Sequence, residues 1–522
     1  MNLCTFTYSL RKNFMVCYQY NHVPGENMQE KKTLFYFLYD SLKQQILSGC
    51  RQYGSPLPSL SRLCETYHVG RRTARDVLDA LRHEGLIHTE ERKTAVVIYR
   101  QPDSPEENTA LRFVLQRKSS LIEVYETMEL LIPALLTFSA VHCCTGEPHS
   151  LRDLEHYSLF QKYAKKKKPN DDLGIPSVFF HDLLKETGSL LLNDLYASLE
   201  VYTRVPLILM KEQFPAYKIS SNDYKILSSI PLILESGRQE DVASVFRELY
   251  SHATVLVRLY LDSLSSRFPD IPDDPKAVYT WQAQMGRDHF YMQLARALID
   301  KIGTGACPPG TRLPSEAALS KSCRVSLSTV RKALSTLNDL GFARTENGKG
   351  TVICLQDNET AFQCIKNPSY RRDTLLYLSA AQFMAIAVRP AARLAFPRLN
   401  REVQAQLGRE ISLPGSNPLA CIFRCIMDNL TLRPLKSILA ETDQLLLWGY
   451  YFAFFEKGTE SSTPLHQLAA EAFHLLQQND AEGFSRLLSL CYCHILQFVR
   501  DFMISGGLTE AKKIMVPYPE EG

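Results

Sequence analysis

Residues 309–341 read Pro309-Gly-Thr-Arg-Leu-Pro-Ser-Glu-Ala-Ala-Leu-Ser-Lys-Ser-Cys-Arg-Val-Ser-Leu-Ser-Thr-Val-Arg-Lys-Ala-Leu-Ser-Thr-Leu-Asn-Asp-Leu-Gly341. The pattern predicts two short helices joined by a tight turn, followed by a two-stranded wing over Phe342–Cys354. Ser315 is placed to cap a helix beginning at Glu316, and Ser326 to cap the next one, each hydroxyl accepting from exposed backbone N–H groups. On that second helix Val330, Ala333, Leu334, Leu337 and Leu340 fall on one apolar face at helical spacing. Leu327, Ser328, Arg331 and Lys332 are left on other faces, near the N-terminal end that such modules insert into a DNA major groove. Gly341 suits the left-handed residue that ends a helix. Asn347-Gly348 signals a two-residue hairpin turn, with Lys349 and Gly350 at the wing tip. Arg312, just ahead of Leu-Pro-Ser, is a further candidate for backbone or base contact.

The same pattern occurs 256 residues upstream without a gap. Ser55–Val97 laid on Thr311–Ile353 gives 14 identities in 43 positions, among them Pro58/Pro314, Ser59/Ser315, Thr73/Thr329, Arg75/Arg331 and Gly85/Gly341. Charge follows the repeat. Residues 31–100 carry 12 Lys and Arg against 7 Asp and Glu, and 277–356 carry 10 against 5. Each copy is therefore +5 in a chain whose total is +3, which leaves −7 for the rest. Positive charge concentrated on two small modules is what a protein that displaces phosphate counterions needs.

Two Pro/Asp-rich breaks, Gln101–Asn108 and Phe268–Pro275, cannot be helix interiors, because proline fixes φ and removes a donor. Between and after them, long stretches with Leu, Ala, Phe and Tyr three and four apart predict helices. The tails of these stretches repeat at an offset of 242, Tyr224 against His466 and His252 against His494. Lys165–Lys168 reads as a solvated loop or a second phosphate-touching patch. Residues 1–30 are an extra strand, an arm or an extension. Fourteen cysteines without a paired framework point to reduced thiols in a cytosol. No signal peptide is read at the start, and no apolar run reaches the 18 residues of a membrane helix.

The expected architecture is mainly α, with two winged helix-turn-helix domains each followed by an all-helical bundle. Its boundaries are 1–30 extension, 31–100 first winged helix, 101–109 linker, 110–266 first bundle, 267–278 linker, 279–355 second winged helix, 356–515 second bundle and 516–522 tail. One duplication and fusion explains this order.

Arg-Leu-Pro-Ser-Glu, then Val-Ser-Leu-Ser-Thr-Val-Arg-Lys-Ala-Leu, then Leu-Gly-Phe and Gly-Lys-Gly-Thr, resemble the winged-helix signature of the GntR family of bacterial transcription regulators over about 75 residues. The resemblance implies double-stranded DNA as partner, contacted by Arg312, Ser328, Thr329, Arg331, Lys349 and Gly350. Ser315, Ser326 and Lys332 join them from the helix reading above. The first copy departs from the pattern. Pro56 stands where Arg312 stands, Leu60 replaces Glu316, and Glu91-Arg92-Lys93-Thr94 replaces the tight wing turn. Arg62, Arg71, Arg72 and Arg75, with Thr73 and Lys93, still offer DNA-binding groups. This copy is either a reader with another sequence preference or stronger backbone grip, or a decayed copy kept for folding.

Phe180–Leu195 and Leu234–His252 resemble the helical ligand-binding (FCD) domain of FadR-type GntR regulators. That resemblance implies an organic-acid effector, homodimers, and a divalent metal held by one Asp and three His. The ligand set is incomplete here: His181 and His252 match in the first half and His466 and His494 in the second. Ser177, Tyr224 and Arg424 stand at ligand positions, so the four histidines also read as ordinary core or surface residues. Cys491-Tyr-Cys-His494 is a poor zinc set, since residues two apart on a helix do not share a face. No enzyme constellation is found. The expected function is a non-enzymatic, effector-responsive transcription regulator, a repressor among its readings, in the bacterial cytoplasm, built as an intramolecular pseudo-dimer or a homodimer and not in a membrane. The alternative is an adaptor whose winged helices bind protein.

Overall fold

The computed structural model describes residues 34–47, 51–67, 69–90, 93–100, 109–145, 151–165, 174–213, 221–283, 290–303, 306–346, 348–354, 367–413, 416–447 and 462–517. The extension 1–30, Gln101–Asn108, Lys166–Lys168, Glu91, Arg92, Asn347 and the tail from 518 lie outside the described residues. Described residues of 34–287, 364–446 and 456–522 form one compact body, and those of 288–363 belong to a second.

The first head comprises α1 (Leu34–Leu47), α2 (Leu60–Tyr67), α3 (Arg71–His83) and the strands β1 (Ile87–His88) and β2 (Val96–Val97). Leu38, Leu42 and Ile46 recur every fourth residue on α1 and meet Ala74, Val77 and Leu81 of α3 in one core. The helices of the first helical segment follow. In order they are α4 (Thr109–Leu115), α5 (Lys118–Thr145), α6 (Tyr157–Ala164), α7 (Gly174–Glu186), α8 (Leu192–Gln213), α9 (Ser221–Ser236) and α10 (Gln239–Arg267). The long pair α5 and α10 forms the axis of this first helical segment.

The second head repeats the first: α11 (Phe290–Gly303), α12 (Glu316–Cys323), α13 (Leu327–Asp339), β3 (Ala343–Glu346) and β4 (Gly350–Ile353). All three helices have the same length as their counterparts, at an offset of 256. Backbone hydrogen bonds repeat at that offset too. Gly54 N–H donates to Val97 O at 2.8 Å and Gly310 N–H to Ile353 O at 2.9 Å; Leu57 N–H donates to Ala95 O and Leu313 N–H to Thr351 O, both at 2.8 Å. Gly85 and Gly341 end their helices at φ of +72° and +76°, a conformation that costs glycine nothing. The apolar face read from sequence on α13 is buried as expected, Val330, Ala333 and Leu337 completely.

The second helical segment comprises α14 (Pro368–Ala395), α15 (Arg401–Ile411), α16 (Pro418–Asn429), α17 (Arg433–Leu446), α18 (Ser462–Gln477) and α19 (Ala481–Ser505), then a final turn over Thr509–Lys513. Its axis is the pair α14 and α19. Helix α14 has 28 residues, like α5, and each carries an internal proline, Pro390 and Pro133. Among the described residues three helices, α5, α14 and α19, are long and apolar enough to cross a membrane by length and composition. This corrects the reading that no apolar run reaches that length. For α14 position accounts for the apolarity, since 83% of its most apolar window is buried within the bundle; the figure is 67% for α5 and 50% for α19.

The two helical segments meet inside the larger body. The turn before α8 docks on α14: Leu190 N–H donates to Ser379 Oγ at 3.0 Å, and Gln382 Nε2 donates to Thr187 O at 3.1 Å and to Met515 O at 2.9 Å. The start of α17 docks on α5, where Arg433 Nε donates to both carboxylate oxygens of Glu123 at 3.0 and 2.9 Å. The stretch expected as a linker over 267–278 is non-helical, as its prolines require, but it is not loose. Asp274 N–H donates to Gln116 O at 2.8 Å, and Tyr279 N–H to Ser120 Oγ at 3.1 Å. Farther on, Trp281 N–H reaches Ser437 Oγ at 3.4 Å and Ala283 N–H reaches Glu441 Oε1 at 3.1 Å. Tyr279 and Trp281 are both buried, so this segment straps one helical segment to the other.

Candidate nucleic-acid interface

In the second head, short polar side chains build the start of α13. Ser326 Oγ accepts from Thr329 N–H at 3.1 Å and lies 2.8 Å from the hydroxyls of both Ser328 and Thr329. Ser315 caps α12 in the same way, accepting from Ala318 N–H at 3.2 Å. Both caps stand where the sequence puts them. Arg331 is exposed one turn into α13, and its Nε donates to Glu316 Oε2 at 2.7 Å. Lys332 sits beside it, but its ammonium lies 4.0 Å from the ring centroid of Tyr291 on α11. That cation–π contact seats Lys332 against α11.

The wing departs from expectation. Strand residue Glu346 pairs with Gly350, so the turn spans 347–349, three residues rather than two. Lys349 N–H donates back to Glu346 O at 3.0 Å, and Gly348 and Gly350 have φ of +73° and +94°. Left-handed positions on either side of Lys349 make the longer turn, a conformation that glycine adopts without the penalty other residues carry. Lys349 is exposed on it. Arg312 bridges to Val352 in the strand ladder, and its side chain runs past Gly350, where a Cβ would stand 3.9 Å from Arg312 Cδ. Arg312, Lys349 and Gly350 therefore share the wing, while Ser328, Thr329 and Arg331 share the start of α13.

The first head keeps the frame and changes the chemistry. Pro56 bridges to Val96 as Arg312 does to Val352. Gly70 occupies the cap position of α3 and offers no side-chain acceptor. Arg62, Arg71, Arg72 and Arg75 are exposed, and none has an ion-pair partner among the described residues. Thr73 is half-buried, and Lys93 is tied to Glu90 at 2.7 Å. Leu60, at the place of Glu316, packs on the head's core. The paired strands shrink to two residues each. Sequence reasoning missed the Arg331–Glu316 tether and the Tyr291 seat. Both partners are distant in sequence, at no periodic spacing, and only the folded head brings them together.

The residues present do not fit the divalent metal that the resemblance to FCD domains implies. His181 Nδ1 is 2.7 Å from Asn193 Oδ1 and its Nε2 is 3.1 Å from Glu200 Oε2, while Ser177 also bonds Glu200. Both ring nitrogens are thereby engaged with neighbouring side chains. His252 and His494 are half-buried and His466 is exposed. Arg424 is turned to Glu410 at 3.2 Å, and the side chain of Tyr224 lies outside the described residues. Among the described residues no group of three or more His, Cys, Asp or Glu could hold a metal ion. Burial pushes the thiols of Cys491 and Cys493 up to about 12, which opposes the thiolate a metal requires. A cavity of about 480 Å³ between α5 and α14 is walled by Glu123, Glu126 and Glu129 with Leu130, Leu394 and Leu432. Glu123 is paired with Arg433 and Glu126 with Arg258.

Known proteins resemble this chain in the heads. The model of the family "Bacterial regulatory proteins, gntR family" matches residues 36–97 and 290–353. Over 63 residues the chain is 40% identical to the uncharacterized HTH-type transcriptional regulator YdfD of Bacillus subtilis, covering 12% of this chain and 13% of that protein. It is 34% identical over 64 residues to the HTH-type transcriptional repressor STM4068 of Salmonella typhimurium, 12% of this chain and 27% of that one. The uncharacterized HTH-type regulator YurK of Bacillus subtilis is 31% identical over 94 residues, 18% of this chain and 34% of its own length. The chain thus spans about a third or less of the curated relatives it matches. A solved Streptococcus agalactiae GntR aligns over 40% of this chain and 99% of its own, at 15% identity and a TM-score of 0.19, too low to support a shared architecture. Both heads of this chain match the helix-turn-helix domain of GntR-family regulators.

Proposed function

We propose that this chain is a sequence-specific, non-enzymatic transcription regulator of GntR type, in which a head and a helical FCD-like segment were duplicated and fused. The observation that carries the reading is the pair of basic recognition helices, α3 and α13, set on frames whose helix lengths and backbone hydrogen bonds repeat at one offset. Its partner is double-stranded DNA, met by Arg312, Ser328, Thr329, Arg331, Lys349 and Gly350 on one head and by Arg62, Arg71, Arg72 and Arg75 on the other. The helical segments act as an internal pseudo-dimer, each docking on the other's long helix, and respond to an effector without a bound metal. Repression in the bacterial cytoplasm is the corresponding cellular role, by analogy with the repressor among the relatives. The two recognition helices differ at Arg71/Leu327, Arg72/Ser328 and Asp76/Lys332, so the two heads of one chain do not share a sequence preference and meet unlike stretches of duplex, one helical turn or a multiple of it apart.

Selection of binding sequences by the full chain, followed by titration over a range of salt, tests this. A regulator yields a selected duplex whose affinity falls steeply with salt. Salt-insensitive binding, or none, assigns the heads to protein interaction instead. Recovery of the same preferred sequence from both heads refutes their unlike preferences.

A further inference from the structure

The two heads differ at one pair of positions that decides how an arginine meets DNA. In the second head Glu316 Oε2 holds Nε of Arg331. The two terminal nitrogens of that guanidinium have no partner among the described residues, and they are the fork that pairs with guanine O6 and N7. A carboxylate on Nε thus fixes the plane and reach of the fork before DNA arrives, and it cancels the charge that would otherwise seek a phosphate. The equivalent Arg75 has Leu60 at the place of Glu316, and Leu60 is turned to the core. Arg75 keeps a free charge and free rotation, as do Arg71 and Arg72 beside it. The serine cap is also absent there, with Gly70 in its place. A mobile guanidinium suits phosphate, which accepts from many directions and carries no sequence information.

We propose that Glu316 is a positioning residue for base reading, and that Leu60 makes the first head a phosphate grip. One chain then divides its labour, with the second head selecting the sequence and the first supplying sequence-independent affinity. This rests on the reading of the chain as a DNA-binding regulator.

The test uses the full chain and its variants Glu316→Leu, Glu316→Gln and Leu60→Glu, each titrated with the selected duplex and a random duplex over a range of salt. Glu316→Leu is expected to lower the ratio of selected to random affinity by about 5- to 150-fold, one bidentate contact's worth. It should also steepen the log–log salt dependence on random DNA by up to about 0.9, one more phosphate contact. Glu316→Gln should recover part of the ratio, because the amide oxygen still accepts from Nε. A head that had merely lost its fold would show neither the steeper slope nor the rescue. Leu60→Glu should leave the ratio unchanged and make the slope shallower by up to about 0.9. A Glu316→Leu chain that selects as well as wild type overturns the assignment alone. So does a Leu60→Glu chain that loses selectivity as Glu316→Leu does. A wild-type chain that binds neither duplex overturns the regulator reading and this assignment with it.

Discussion

Replacing Gly188 by alanine should separate the two helical segments. Gly188 has φ of +70°, and a Cβ there would lie 2.1 Å from the carbonyl oxygen of Lys513 and 2.4 Å from its carbon. Those are backbone atoms, so no rotamer change relieves the collision, and the final turn of the second segment must move. The left-handed conformation alone costs a non-glycine residue about 1–2 kcal/mol. Movement of this turn also puts at risk the two bonds that Gln382, fully buried, donates to Thr187 O and Met515 O. At about 1 kcal/mol each, the total is about 3–4 kcal/mol. Gly507→Ala is the control. It also has positive φ, +101°, but nothing lies within 4 Å of its added Cβ, so it bears the conformational cost only. Urea unfolding followed through buried Trp281, with hydrogen exchange over 509–515, reads both variants. Gly188→Ala should unfold at lower urea than Gly507→Ala and expose amides of the final turn. Equal midpoints and equal protection would refute the argument that backbone packing at Gly188 holds the segments together.

Ser326→Ala should destabilise the second head by about 1 kcal/mol through loss of its cap, whereas Gly70→Ser should stabilise the first by a few tenths, both measured by exchange at α13 and α3. Asp300 has its carboxyl pushed up to about 6 by burial. The folded state therefore binds that proton more tightly than the unfolded chain, and the stability it contributes is present below about pH 4 and lost as pH rises through 6. The loss is at most about 3 kcal/mol, and Asp300→Asn should flatten this dependence in α11 exchange between pH 4 and 7. An unflattened profile would show that another group titrates. Elemental analysis after gel filtration should find less than one tightly bound divalent metal per helical segment; stoichiometric metal would show that His181 leaves Glu200 to ligate.

Local signals in this chain were readable because they depend on neighbours in sequence. Ser315 and Ser326 cap because a hydroxyl reaches N–H groups three residues on. Gly341 ends a helix because its φ is positive, and the face of α13 follows from 3.6 residues per turn. A shift of 256 residues shows the repeat in the sequence itself, since both heads satisfy the same local rules. The failures are equally physical. Asn347-Gly348 suggested a two-residue turn, but the pairing of Glu346 with Gly350 makes the loop one residue longer, and that register depends on both strands. The apolarity of α14 could be weighed only once its burial was known. Tertiary structure alone decided that Glu316 holds Arg331, that Tyr291 seats Lys332, that Glu200 and Asn193 engage His181, and that residues 273–283 strap two helical segments together. Each of these joins residues distant in the chain through side-chain geometry, and no spacing along a sequence encodes which distant partner arrives.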